Sequence, residues 1–164
     1  MSSLGSTLSI CVMGNWRALL RDKSVVKKYL FVAYTIFIVW YTLLKREPRG
    51  AERVFKPELF WAIRAWVVNP TVVNKVEAVQ YLLNILFFIP YGLLFPWKDN
   101  WKRVFVTALV LSVFIELSQF IFNLGWCEVD DVISNTLGAM IGWGVIRQIS
   151  RKVEMDPHRR AWEE

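Results

Sequence analysis

Glu116, Gln119, Glu128, Asp131 and Asn135 are the residues of this chain whose types and spacing could do chemistry. They fall within residues 112–143, SVFIELSQFIFNLGWCEVDDVISNTLGAMIGW, together with Asn123 and Asp130, in and between two strongly apolar segments. In water such a mixture carries little information. In a bilayer each ionisable side chain near a helix centre costs about 2.5–3.5 kcal/mol on insertion scales and faces protein or a water-filled cavity. Glu116, Gln119 and Asn123 are spaced by three and four, which puts them on one helical face. Asp131, Asn135, Gly138 and Gly142 form a second stripe. The connection between the two segments is short, so their helices are expected to be antiparallel neighbours. Their polar faces then meet at a similar depth, with Asn84 of an earlier helix nearby.

Glu116 and Asp131 are the candidate catalytic residues, and three readings of the pair stay open. In the first, hydrogen bonds to Gln119, Asn135 and Asn84 lock the helices together, with one or both carboxyls protonated by desolvation. In the second, one carboxylate is a general base and the other a general acid, or the two hold a divalent metal against a phosphate. In the third, they receive a polar headgroup or a cation. Asp130 points about 100° away from Asp131 on a helix, and Glu128 lies in the connecting loop. Both suit solvation or a helix N-terminus as well as chemistry. Cys127 reads as an outward thiol and a poor nucleophile, since no basic neighbour is evident to lower its pKa. Gly138-Ala-Met-Ile-Gly142 is a GxxxG pattern, read as a packing seam.

Composition sets the class. A chain of 164 residues fits one domain, and 55% of it is apolar, with nine Trp and eleven Phe gathered into runs. The formal charge is +6, with Lys and Arg mainly beside the apolar runs. That placement suits anionic lipid headgroups and argues against nucleic acid as a partner. Cys11 and Cys127 are too few for a disulfide framework. His158, the only histidine, lies in the polar tail, which excludes a histidine-based zinc site and a Ser-His triad. No cofactor is expected.

Four apolar runs must position the polar residues: 29–44, 79–97, 104–124 and 129–149. Each is close to the length needed for a hydrocarbon core of roughly 30 Å. Asn84 lies in the second, where Pro90 and Gly92 are expected to kink the helix and free a carbonyl that needs a partner. Between the first two runs, residues 58–68 form about three turns with two Trp, too short to span. They read as a helix lying at the interface or as a cap over the bundle. The patch at 8–13 lacks the features of a cleaved signal peptide. The expected fold is an all-α integral membrane protein, a four-transmembrane-helix bundle with a short interfacial helix between spans 1 and 2. Its parts are a basic N-terminal segment (1–28), a membrane domain (29–149) and a charged tail (150–164). Thirteen Lys and Arg fall in the N-terminal segment, the 98–103 turn and the end of the last run with the tail, against seven in the 45–78 connection and none in 125–128. Both termini are therefore expected to be cytoplasmic, with the acidic loop facing outward.

Three motifs in order carry a resemblance. NILFFIPYGLLFP (84–96), IELSQFIFNLG (115–125) and EVDDVISNTLGAMIGWG (128–144) resemble the VanZ-like family of small bacterial membrane proteins. Asn84, Pro90 and Gly92 match the family's first motif, Glu116 and Gln119 its second, and Glu128, Asp131, Asn135, Thr136 and Gly138 its third. Many relatives carry an Arg just ahead of the third, where this chain has Gly125, Trp126 and Cys127. The resemblance implies a plasma-membrane protein of the cell envelope linked to low-level resistance to teicoplanin-type glycopeptides. Asn84, Glu116, Gln119, Glu128, Asp131 and Asn135 are the ligand-binding candidates, and membrane lipids or a lipid-linked envelope precursor the expected partners. An enzyme modifying a lipid phosphate or acyl group, and a non-catalytic packing partner of another membrane protein, remain the alternatives.

Overall fold

A computed structural model describes residues 23–45, 54–97 and 100–154. The patch at 8–13, Cys11 and the tail beyond 154 lie outside the described residues. Among the described residues, four main helices and one short one form the fold: α1 (Lys23–Val39), α2 (Trp61–Val68), α3 (Val72–Leu94), α4 (Trp101–Ile121) and α5 (Val129–Glu154). A π-helical turn, Trp40–Leu44, continues α1. Two short strands, β1 (Phe55–Lys56) and β2 (Cys127–Glu128), pair in parallel.

Ser24–Leu44, Val72–Leu94 and Trp101–Ile121 are long and apolar enough to cross a membrane. Helix α5 is longer still, but its first turn holds Asp130 and Asp131 and its last holds Arg151 and Lys152. Large apolar side chains such as Leu30, Ile36, Leu82, Val110 and Ile141 point outward, as lipid-facing positions must. The buried core is small and aromatic. Ile38, Phe88, Tyr91, Phe95, Val104, Ala108, Ile115, Ala139 and Trp143 form it.

Helix α5 packs most closely on α3, then on α4, while α1 lies against α3. The α3–α5 seam exists because three glycines remove the side chains that would hold the backbones apart. A Cβ on Gly138 would overlap the carbonyl of Ile85, one on Gly142 that of Ile89, and one on Gly92 that of Ala139. The GxxxG stripe is thus spent inside the chain, as the packing-seam reading expects. The α1–α3 contact is aromatic: Phe31 lies 4.9 Å from Tyr91 and edge-on to Phe95 at 5.5 Å. Tyr34 Oη donates to Phe87 O at 2.7 Å, one carbonyl along from the position that Pro90 cannot serve. Helix α3 continues through Pro90 to Leu94.

The helix ends differ from the expected ones by one or two turns. Helix α3 starts at Val72 and not at 79, because Thr71 accepts from the Asn74 N–H at 3.2 Å as its N-cap. Helix α4 starts at Trp101, capped by Asn100, which accepts from the Arg103 N–H at 3.2 Å. It stops at Ile121 because Asn123 adopts a left-handed conformation, φ 55°. Leu124 N then donates to Gln119 O at 2.8 Å and Asn123 N to Phe120 O at 3.4 Å, the Schellman pattern of a helix end. Asn123 therefore leaves the polar stripe of α4 and serves as its C-terminal stop.

Candidate functional site

The C-terminal ends of α1 and α4, the N-terminal ends of α3 and α5, and the β1–α2 segment all meet at one end of the bundle. Ser112 against Asn135 and Glu116 against Glu128 make α4 and α5 antiparallel neighbours, as expected. The polar residues gather there in two layers.

The inner layer is buried. Glu116 is 2% exposed, and its Oε2 accepts from the backbone N–H of Glu128 at 3.0 Å. This places a carboxylate at the entrance to α5, where the helix dipole favours negative charge. Asn135 Nδ2 donates to Ser112 Oγ at 2.9 Å and ties α5 to α4. Gln119 Nε2 donates to Thr42 O at 3.3 Å in the π-helical turn and ties α4 to the end of α1. Asn84 is half-buried, and its Oδ1 accepts from Gln80 Nε2 at 3.2 Å on its own helix. The partner seen for the Asn84 amide oxygen is thus on its own helix.

Asp130 is neither solvated nor spent on its own helix, contrary to what its position in the sequence suggests. It is 2% exposed. Its Oδ1 accepts from the Phe60 N–H at 2.6 Å and its Oδ2 from the Trp61 N–H at 3.0 Å, at the N-terminus of α2. Phe60 is left-handed, φ 54°, a conformation that costs energy in any residue with a Cβ. The Asp130 carboxylate holds it there. The C-terminal end of α2 is closed by Asn74, whose Nδ2 donates to Asn69 O at 2.7 Å and Ala65 O at 3.3 Å. Helix α2 is therefore a cap fastened to the bundle at both ends.

The outer layer is partly exposed and consists of Asp131 and Glu128, the side chain of Glu128 being 14% exposed. Trp61 Nε1 donates to Glu128 Oε2 at 3.1 Å, and Lys56 Nζ stands 3.8 Å from Glu128 Oε1. Burial pushes the Glu128 carboxyl above its ordinary value, the Trp61 bond and Lys56 charge oppose that, and Glu77 and Asp130 add to it. Tyr81 of α3 is buried within electrostatic reach of Asp130 and Asp131.

Cys127 lies among the carboxylates. It is buried, not outward as its loop position suggested. Burial raises its thiol pKa, and the charges of Glu116, Asp131 and Glu128 raise it further. A thiol so placed is held neutral and is a poor nucleophile. Glu116, Asp131 and Glu128 thus all lie within electrostatic reach of one sulfur. Among the described residues, no group of three or more His, Cys, Asp and Glu is arranged to hold a metal ion. A cleft of about 300 Å³ runs along the cap, lined by Glu58, Trp61, Arg64, Ala65 and Val68.

The sequence profile of the VanZ/LLP1 family matches residues 31–150, a segment that holds every residue of this site. Protein VanZ of Enterococcus faecium is 42% identical over 123 residues, covering 72% of this chain and 71% of that protein. No solved structure matches the chain. The chain belongs to the VanZ/LLP1 family and is a bacterial multi-pass membrane protein.

Proposed function

We propose that this protein lowers susceptibility to teicoplanin-type glycopeptides by receiving a membrane lipid or lipid-linked envelope precursor at its acidic end. The observation that carries this reading is the division of labour among the carboxylates. Glu116 and Asp130 are shut in and spend their oxygens on backbone N–H groups. Asp131 and Glu128 stay partly exposed beside them, and the oxygens of Glu128 meet side chains, Trp61 and Lys56, instead of backbone. The first pair builds the end of the bundle, and the second faces what enters it. Glu77 adds another negative charge nearby. Such a site repels a bare phosphate and favours groups that donate, such as hydroxyl, amide or ammonium.

Charge supports an orientation, although Lys45, Lys56, Arg64 and Lys75 lie at the cap end. Lys28, Lys102, Arg103, Arg147, Arg151 and Lys152 lie at the bundle end opposite the cap, which supports cytoplasmic termini and an outward-facing acidic end. Trp143 stacks under Arg147 at 4.9 Å, an arrangement suited to that interface.

The test is the lipid retained by the purified protein, read by mass spectrometry. Wild type retains a polyprenyl-phosphate-linked precursor or a defined phospholipid, and Asp131→Asn retains at least tenfold less at equal folded yield. Equal retention by wild type and Asp131→Asn contradicts the reading.

A further inference from the structure

Lys56 is the one residue of β1 whose side chain turns into the site, and its surroundings are those of a ligand. Its Nζ lies 3.5 Å from the centre of the Trp61 ring and 3.6 Å from that of Trp126. Glu128 Oε1 closes a third side at 3.8 Å. Two indole faces and a carboxylate around one nitrogen form an aromatic cage, the arrangement by which proteins recognise organic ammonium groups. The walls come from three separate segments, α2, the 125–126 turn and β2.

The strand that carries the occupant is short. Strand β1 has two residues, pairing Phe55 with Cys127 and Lys56 with Glu128, and one further backbone bond joins Cys127 N to Val54 O at 3.0 Å. The walls are held firmly: Asp130 anchors the α2 entrance that carries Trp61, and Glu116 anchors Glu128. A rigid cage with a weakly tethered occupant can exchange that occupant. Trp61 also borders the cleft along the cap, where Arg64 lines the wall one turn further on. An ammonium in the cage therefore has a guanidinium close by that suits a phosphate.

We propose that Trp61, Trp126 and Glu128 form a binding site for the ammonium of a zwitterionic lipid headgroup, with Arg64 facing its phosphate, and that Lys56 is an internal stand-in displaced by it. This rests on the reading that the acidic end receives a lipid, and it names the chemistry of the headgroup. Displacement frees the Lys56 amine, which gives the site its own readout, independent of resistance.

The experiment uses the full chain in vesicles of phosphatidylglycerol alone or mixed with phosphatidylcholine, whose quaternary ammonium does not consume an amine reagent. Lys56 modification by an amine-reactive ester is measured by peptide mass spectrometry, with Lys75 as the internal reference. Phosphatidylcholine raises Lys56 modification at least threefold and leaves Lys75 unchanged. In Trp126→Ala, where the cage lacks a wall, Lys56 is reactive in both bilayers and the lipid has no further effect. Soluble choline added to phosphatidylglycerol vesicles separates the sources: no rise assigns the ligand to the lipid, and an equal rise overturns the lipid assignment. Equal Lys56 modification in both bilayers overturns the proposal. As a second arm, Lys56→Ala retains more phosphatidylcholine through purification than wild type, and Lys56→Ala with Trp126→Ala does not. Loss of precursor retention in Asp131→Asn together with an unresponsive Lys56 would leave the broader reading standing and remove this one.

Discussion

The Asp130 carboxylate accepts from the Phe60 N–H at 2.6 Å, across 70 positions of the chain. This bond places a buried charge of α5 at the entrance to α2 and fixes Phe60 in a left-handed conformation. The cap, the cage and the acidic end share that anchor. Asp130→Ala removes the acceptor from two N–H groups, at a cost of about 2–4 kcal/mol. Its expected result is local, because α1, α3, α4 and α5 keep their own seams. Limited proteolysis should open the chain between residues 54 and 71 while far-ultraviolet dichroism stays near wild type. Asp130→Asn retains one acceptor oxygen and should fall between the two.

The α3–α5 seam has a built-in control. Gly142→Val must push against the Ile89 carbonyl and the Leu93 N–H, which lowers stability by about 1–3 kcal/mol, or prevents assembly. Gly144 has nothing within 4 Å of an added Cβ, so Gly144→Ala should be neutral or slightly stabilising. Thermal unfolding of the two variants in detergent checks both outcomes. Equal losses would contradict the seam.

Cys127 should resist alkylation. Its burial and the carboxylates around it hold the thiol neutral. In a Cys11→Ser background at pH 8, maleimide should modify the folded protein roughly tenfold or more slowly than the denatured chain. Release of the cap in Asp130→Ala should raise the folded rate.

Glu128 makes stability depend on pH. Its folded pKa lies above the ordinary glutamate value, mainly through burial, so the folded state holds the proton more tightly than the unfolded chain. Its contribution is fully present below the unfolded pKa of about 4.3 and is lost as pH rises through the folded pKa. The Tm of wild type relative to Glu128→Gln should therefore fall as pH rises above the ordinary glutamate pKa and through the folded one. A difference that stays flat, or grows with pH, would contradict the burial of this group.

The four long helices were legible because run length and apolar content are local properties of the sequence. The antiparallel pairing of α4 with α5 was legible for the same reason, since a short connection permits little else. Helix ends were less so: Thr71 and Asn100 cap their helices a turn or two before the apolar runs begin. Asn123 fitted the polar stripe by spacing, yet its tolerance of positive φ decides its role. Asp130 and Lys56 were missed for a different reason. Their partners, Phe60 and Trp61 for one and Trp61, Trp126 and Glu128 for the other, lie outside their own elements. No local period reports a contact across some 70 residues. In the sequence Asp130 is simply an acidic residue at the start of a helix, which reads equally well as solvated.

The central claim is that the acidic end of the bundle does the work. It is tested most directly by teicoplanin susceptibility in a Gram-positive host expressing wild type, Asp131→Asn or Gly144→Ala, with membrane levels matched by blot. Wild type and Gly144→Ala should protect, and Asp131→Asn should not. Equal protection by all three would contradict it.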